Sequence, residues 1–144
     1  MNLKAPTDIV IYAIEKAIKS YRKFAQKNIR KVEGNITVDQ ALLLILLKNS
    51  PELSQGEIAK ILFKDYASIT RMIELMVKKK YLIRNESQED RRRKQLILSN
   101  AGEETLKKLF PIIESNRNQA LRGLSTLEIA QLDALLKKII NNCK

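Results

Sequence analysis

Apolar and polar positions change period several times along the chain, and each change marks an element. Over residues 7–31, Val10, Ile14, Ala17, Tyr21 and Phe24 recur every third or fourth position, and Ile18 and Ala25 widen the stripe. This spacing predicts one long amphipathic helix. Its opposite face carries Glu15, Lys16, Lys19, Arg22, Lys23 and Lys27, and Gly34 suits a helix stop. Thr37 followed three positions on by Gln40 fits a capping box, in which each side chain satisfies a free N–H of the first turn. The helix it opens, 38–49, is apolar on most faces and is expected to be buried; Ser50-Pro51 ends it. Ser54 and Glu57 form a second capping box, opening a short helix to about Leu62 with Ile58, Ile61 and Leu62 facing inward. Gly56 inside that helix costs up to about 1 kcal/mol against Ala, so a close approach by another backbone is expected there.

Asp65 suits the cap of the next helix, accepting from the N–H of Ser68. Ile69, Met72, Ile73, Met76 and Val77 fall on one of its faces; Ala67, Thr70, Arg71, Glu74 and Lys78 fall on the other. The period then drops to 2. Tyr81 to Arg84 and Gln95 to Leu98 read as short strands around a polar, charged tip, Asn85 to Lys94. Ser99 can cap a helix over 100–122, in which Pro111 is expected to make a kink or a break and Gly123 a stop. Ser125 and Glu128 form a third capping box, opening a helix to about Asn141 with Leu132, Leu135, Leu136, Ile139 and Ile140 in one stripe. The expected fold is mainly α: one domain, 1–144, with a winged helix-turn-helix core at 37–99 and a β-hairpin wing. The segments 1–34 and 100–144 supply long flanking helices, whose apolar stripes exceed what the core can cover and so predict a homodimer. A helix followed at once by a hairpin with a basic tip suits DNA, the helix in the major groove and the tip on the backbone or in the minor groove.

Charge sharpens this picture. Lys and Arg outnumber Asp and Glu by 27 to 16. Residues 60–94 hold 11 basic against 5 acidic residues, and residues 15–31 hold 7 against 1, a clustering that suits a polyanion partner; on charge alone a generic solvated surface fits as well. The longest apolar run, Ala41 to Leu47, is far short of the roughly 18 residues of a membrane span. The N-terminal residues lack an apolar secretory segment, so a cytoplasmic location is expected. With no histidine and Cys143 as the one cysteine, neither a metal site nor an internal disulfide is expected. No cofactor and no enzymatic activity are expected either: the four glycines are scattered, and no nucleophile has a recognisable base.

Several segments, in order, resemble the MarR family of bacterial transcription regulators. They are Leu53-Ser54 through Ile58-Ala59, Ser68-Ile69-Thr70-Arg71, Lys80 to Arg84, Asp90-Arg91-Arg92, and Leu98 to Gly102. The last is similar to the family's Leu-Thr-x-x-Gly, and the Asp-x-Arg pair before it is the most specific item. The resemblance covers about Thr37 to Leu109 and implies a homodimer on a pseudo-palindromic operator, released by a small molecule bound between the dimer helices and the winged helix. Two positions depart from the pattern: Phe63 stands where a Gly is common, and Tyr66 where an Arg is frequent.

The candidate DNA-contacting residues are Tyr66, Ser68, Thr70 and Arg71 on the helix, and Arg91, Arg92, Arg93 and Lys94 on the wing. Arg71 can bridge guanine O6 and N7 or grip a phosphate; otherwise it is a surface Arg paired with Glu74. Ser68 and Thr70 are short donors near a helix N-terminus, though Ser68 can serve only the cap and Tyr66 can pack on the wing. Arg92 suits the minor groove, with Asp90 as its intramolecular brace, and Arg91, Arg93 and Lys94 suit phosphates. Lys16, Lys19, Arg22 and Lys23, near Tyr12 and Tyr21, form a candidate site for an anionic aromatic effector; the bland alternative is solvated surface. A winged helix used for protein–protein interaction without operator binding is the alternative function, separable by its weak salt response.

Overall fold

The computed structural model describes residues 1–86 and 94–144. A short 3-10 turn at Pro6–Asp8 leads into α1 (Val10–Val32), α2 (Val38–Asn49), α3 (Gln55–Ile61) and α4 (Tyr66–Lys78). The hairpin β1 (Leu82–Glu86) and β2 (Lys94–Leu98) follows, then α5 (Asn100–Ala120) and α6 (Thr126–Asn142). The strands are antiparallel, Leu82 opposite Leu98 and Glu86 opposite Lys94; β1 starts one residue later than the apolar pattern indicates and runs two further toward the tip, and β2 begins one residue nearer the tip. The first helix begins at Val10 rather than residue 7, because Pro6 starts a separate turn closed by the Asp8 N–H on the Ala5 carbonyl.

The caps set most helix starts. Thr37 with Gln40 and Ser125 with Glu128 make both bonds of the capping box. Asp65 accepts from the Ser68 N–H at 2.7 Å, and Ser99 from the Gly102 N–H at 3.0 Å. The Ser54–Glu57 pair makes only half of its box. Ser54 Oγ accepts from the Glu57 N–H, but the Glu57 carboxylate takes the Ser54 hydroxyl proton instead of reaching the Ser54 N–H. Pro111 neither ends nor splits α5, which runs helical from Asn100 to Ala120. Among the described residues no backbone makes the approach expected at Gly56: a Cβ there meets nothing nearer than the Ser54 hydroxyl at 3.9 Å.

Leu43, Leu44 and Leu47 of α2 sit at the centre of the core, with Ile58, Ile69, Ile73, Met76, Leu82 and Leu109 packed around them. Both turns flanking α4 close in the same way. After α3, the Lys64 N–H reaches the Ala59 carbonyl and the Phe63 N–H that of Lys60, with Phe63 in the left-handed region at φ 58°. After α4, the Tyr81 N–H reaches Met76, the Lys80 N–H reaches Val77, and Lys80 has φ 68°. The helix α4 is thereby held at both ends by backbone geometry. At its far end the wing also docks onto α5, through the Ser99 N–H on the Tyr81 carbonyl at 3.0 Å.

The flanking helices are different. Only Ala25 and Ile29 of α1 are buried, and no residue of α6 is. Val10, Ile11 and Ile18 on α1, and Leu127, Leu132, Leu135 and Ile140 on α6, stand open to solvent. Where α1 does meet α5, the Asn28 amide donates to the Asn116 amide oxygen at 2.8 Å.

Candidate nucleic-acid interface

The helix α4 is split lengthwise. Ile69, Ile73 and Met76 fix it in the core, which leaves Tyr66, Ala67, Arg71, Glu74 and Lys78 on the exposed side. Tyr66 is 62% exposed. Arg71 does not pair with Glu74: its Nη2 donates to the Ser68 hydroxyl at 3.1 Å, while the Ser68 N–H donates to Asp65. Asp65, Ser68 and Arg71 thus form one chain at the N-terminus of α4. The bonds from Ser68 hold the Asp65 carboxyl below its usual value, and the positive charges of Arg71 and Lys64 add to this. The arrangement aims the Arg71 side chain toward the helix N-terminus, where free N–H groups and the dipole also favour an anion.

Thr70 is placed differently from Ser68 and Arg71. Its hydroxyl donates to the Tyr66 carbonyl at 3.0 Å and accepts from the amide of Gln55 on α3. Its proton is therefore already engaged, and its bond to Gln55 joins α3 to α4. Gln55 is a member of the site that the sequence reading missed. Its partner lies 15 residues away, and no local pattern marks it.

On the wing, Lys94 begins β2, which places its backbone at the tip end of the ladder. The candidates Asp90, Arg91, Arg92 and Arg93 lie outside the described residues. Of the four candidate effector residues, Lys16, Lys19 and Lys23 are exposed, Lys19 lying 3.8 Å from Glu15. Arg22 is not free: its guanidinium meets the Asp39 carboxylate at 2.5 Å, and the other oxygen of that carboxylate takes Lys64 at 3.1 Å. Any anion at Arg22 must compete with Asp39.

The sequence model of the MarR family matches residues 35–93, a stretch that starts in the loop before α2 and includes α2, α3, α4 and β1. The HTH-type transcriptional regulator YkoM of Bacillus subtilis (strain 168) is 31% identical over 134 residues, which cover 87% of this chain and 86% of that protein. The chain belongs to the MarR family. This is a family of helix-turn-helix transcription regulators, and the fold agrees with it throughout. The S. aureus MarR-fold protein MepR, solved as a complex with DNA, superposes with a TM-score of 0.83 at 20% identity, covering 97% of this chain and all of that one. BpsR of Bordetella bronchiseptica, whose DNA binding is regulated by 6-hydroxynicotinic acid, superposes with a TM-score of 0.81 at 21% identity, covering 96% and 97%. At these identities the likeness establishes the shared fold, including the flanking helices that lie outside the matched segment. No helix of the described residues is long and apolar enough to cross a membrane, and no cluster of metal-binding side chains occurs among them.

Proposed function

We propose that this MarR-family protein is a homodimeric, ligand-responsive repressor that acts in the cytoplasm on a pseudo-palindromic operator, by binding rather than by turnover. The observation that carries the reading is the division of α4: an apolar face locked into the core, and an outer face on which Arg71 is steered by Ser68 and Tyr66 stands free. Arg71, Ser68 and Tyr66 read the major groove from this face; Arg92 enters the minor groove, braced by Asp90; and Arg91, Arg93 and Lys94 hold phosphates. Thr70 contributes mainly by fixing the helix, since its proton is engaged.

The uncovered stripes of α1 and α6 support pairing with a second copy across a two-fold axis. In such a dimer the two α4 helices must lie about one turn of DNA apart, about 34–36 Å, to enter successive major grooves. An effector acts by binding the wrongly spaced dimer better than the DNA-competent one. An anionic aromatic compound suits the basic face of α1, and BpsR, a relative in fold, responds to an aromatic acid. The test is selection from a random duplex pool by the purified protein, with light scattering on the same sample. The expected result is an inverted repeat bound by a dimer. A monomer near 16.6 kDa that enriches no sequence would contradict the proposal.

A further inference from the structure

Spacing specificity requires that the position of α1, which sits in the proposed dimer interface, be transmitted to α4, which reads DNA. One side chain lies between the two. Asp39, in the first turn of α2, is 20% exposed and uses both carboxylate oxygens: Oδ1 meets Arg22 Nη2 at 2.5 Å and Oδ2 meets Lys64 Nζ at 3.1 Å. Arg22 belongs to α1. Lys64 belongs to the turn that closes α3 and immediately precedes Asp65, the cap that begins α4. A single carboxylate on α2 thus joins the dimer helix on one side to the start of the recognition helix on the other.

Neighbouring bonds make the linkage stiff. One turn beyond Arg22, Gln26 grips the entry to α2 with both ends of its amide: Nε2 donates to the Ile36 carbonyl at 3.2 Å, and Oε1 accepts from the Val38 N–H at 2.8 Å. Successive turns of α1 are therefore tied to the same few residues of α2. On the far side, the Lys64 N–H is fixed to the Ala59 carbonyl at 2.9 Å, so its backbone cannot follow a loose side chain. Burial raises the Asp39 carboxyl, but the bonds and charges of Arg22 and Lys64 outweigh it and leave the group below its usual value, hence ionised at neutral pH. Without that negative charge, two cations would face each other across the α1–α4 gap. Arg22 and Lys64 side chains are 42% and 31% exposed, so both can swing into water. The core would persist while the coupling was lost.

We infer that Asp39 is a positioning residue that sets the half-site spacing this protein accepts, by holding Arg22 of α1 and Lys64 at the start of α4 in one fixed geometry. The inference rests on the regulator reading above and adds a determinant of which operators are bound. A single base pair added between half-sites moves one recognition helix by about 3.4 Å along the duplex and turns it by about a tenth of a turn. A rigid linkage penalises that shift, and a loose one absorbs it.

The experiment uses the duplex that the wild-type protein selects, together with versions carrying one base pair more or fewer between half-sites. Binding by wild type, Asp39→Asn and Lys64→Gln is followed by fluorescence anisotropy, with thermal melting as the folding control. Wild type should prefer the selected spacing by about tenfold or more, the scale of one mismatched base pair. Both variants should remain folded and reduce that ratio by at least about threefold, with the altered spacings losing less affinity than the selected one, or even gaining. A uniform change at all spacings, as a lost or added charge alone would give, overturns the inference; so does an unchanged ratio. If wild type selects no sequence at all, the regulator reading fails and takes this inference with it. If wild type selects a sequence and both variants keep its spacing ratio, the inference alone fails.

Discussion

A Cβ placed on Gly102, in the first turn of α5, would lie 2.2 Å from the carbonyl oxygen of Tyr81 at the base of the wing. That carbonyl already accepts from the Ser99 N–H, so it cannot turn away without losing its bond. The glycine is what lets α5 press against the backbone of Tyr81, the residue just before β1. Gly102→Ala should destabilise the protein by about 1–3 kcal/mol, the range for forced overpacking. The midpoint of urea unfolding measures it, and an unchanged midpoint would show that the wing base can move at no cost.

Phe63 presents the reverse case. It stands in the left-handed region at φ 58° with 95% of its surface exposed, so its ring contributes almost no buried area while its backbone is strained. Phe63→Gly removes that strain, about 1–2 kcal/mol for an ordinary residue, and returns part of it as chain entropy in the unfolded state. The expected net result is a modest rise in melting temperature. A fall would mean that the exposed ring has a partner in the dimer.

Arg71 and Thr70 should separate by readout. Arg71→Ala is expected to weaken binding to the selected operator by about 1–3 kcal/mol and to relax discrimination at one base position, with little change in melting temperature. Thr70→Val removes the bonds to Gln55 and to the Tyr66 carbonyl. It should lower stability by about 1 kcal/mol and leave base discrimination closer to wild type. Equal losses of discrimination in the two variants would make Thr70 a base-reading residue.

Acid should remove the contribution of the Asp39 linkage to stability. The folded Asp39 carboxyl titrates below the usual carboxylate value, because Arg22 and Lys64 outweigh the effect of burial. Its contribution to stability is therefore complete above the unfolded value and is lost as pH falls through the folded one. Stability of wild type should drop below about pH 4, and part of that drop should be missing in Asp39→Asn. Urea midpoints measured over the acid range would reveal it; parallel curves for the two proteins would remove Asp39 as a contributor.

What could be read from the sequence was what short range decides. Thr37 with Gln40, Asp65 with Ser68, and Ser125 with Glu128 each act across three residues, so spacing alone placed the helices they begin. The apolar stripes placed the core face of α4 for the same reason. Ser54 and Glu57 had the right spacing too, but the carboxylate had a hydroxyl within reach and took it. The joints that position the site were not legible. Gln55 and Thr70 are 15 residues apart, Arg22 and Asp39 17, and Asn28 and Asn116 88, and each pair meets only after the helices have packed. In the sequence Asp39 reads only as an acidic residue in a helix's first turn, and Arg22 as one more cation on a basic face. Phe63 was noted only as a departure from a common glycine; the left-handed turn found there supplies the physical reason for that glycine.

The central claim, that the outer face of α4 and the wing bind duplex DNA, is tested most directly by the salt dependence of binding to the selected operator. Each phosphate neutralised contributes a slope of about −0.9 in a plot of log affinity against log salt concentration. With Arg91, Arg93 and Lys94 on phosphates in each subunit of a dimer, the slope should be about −5 or steeper. A slope near zero would contradict the account and leave the winged helix as a protein-binding module.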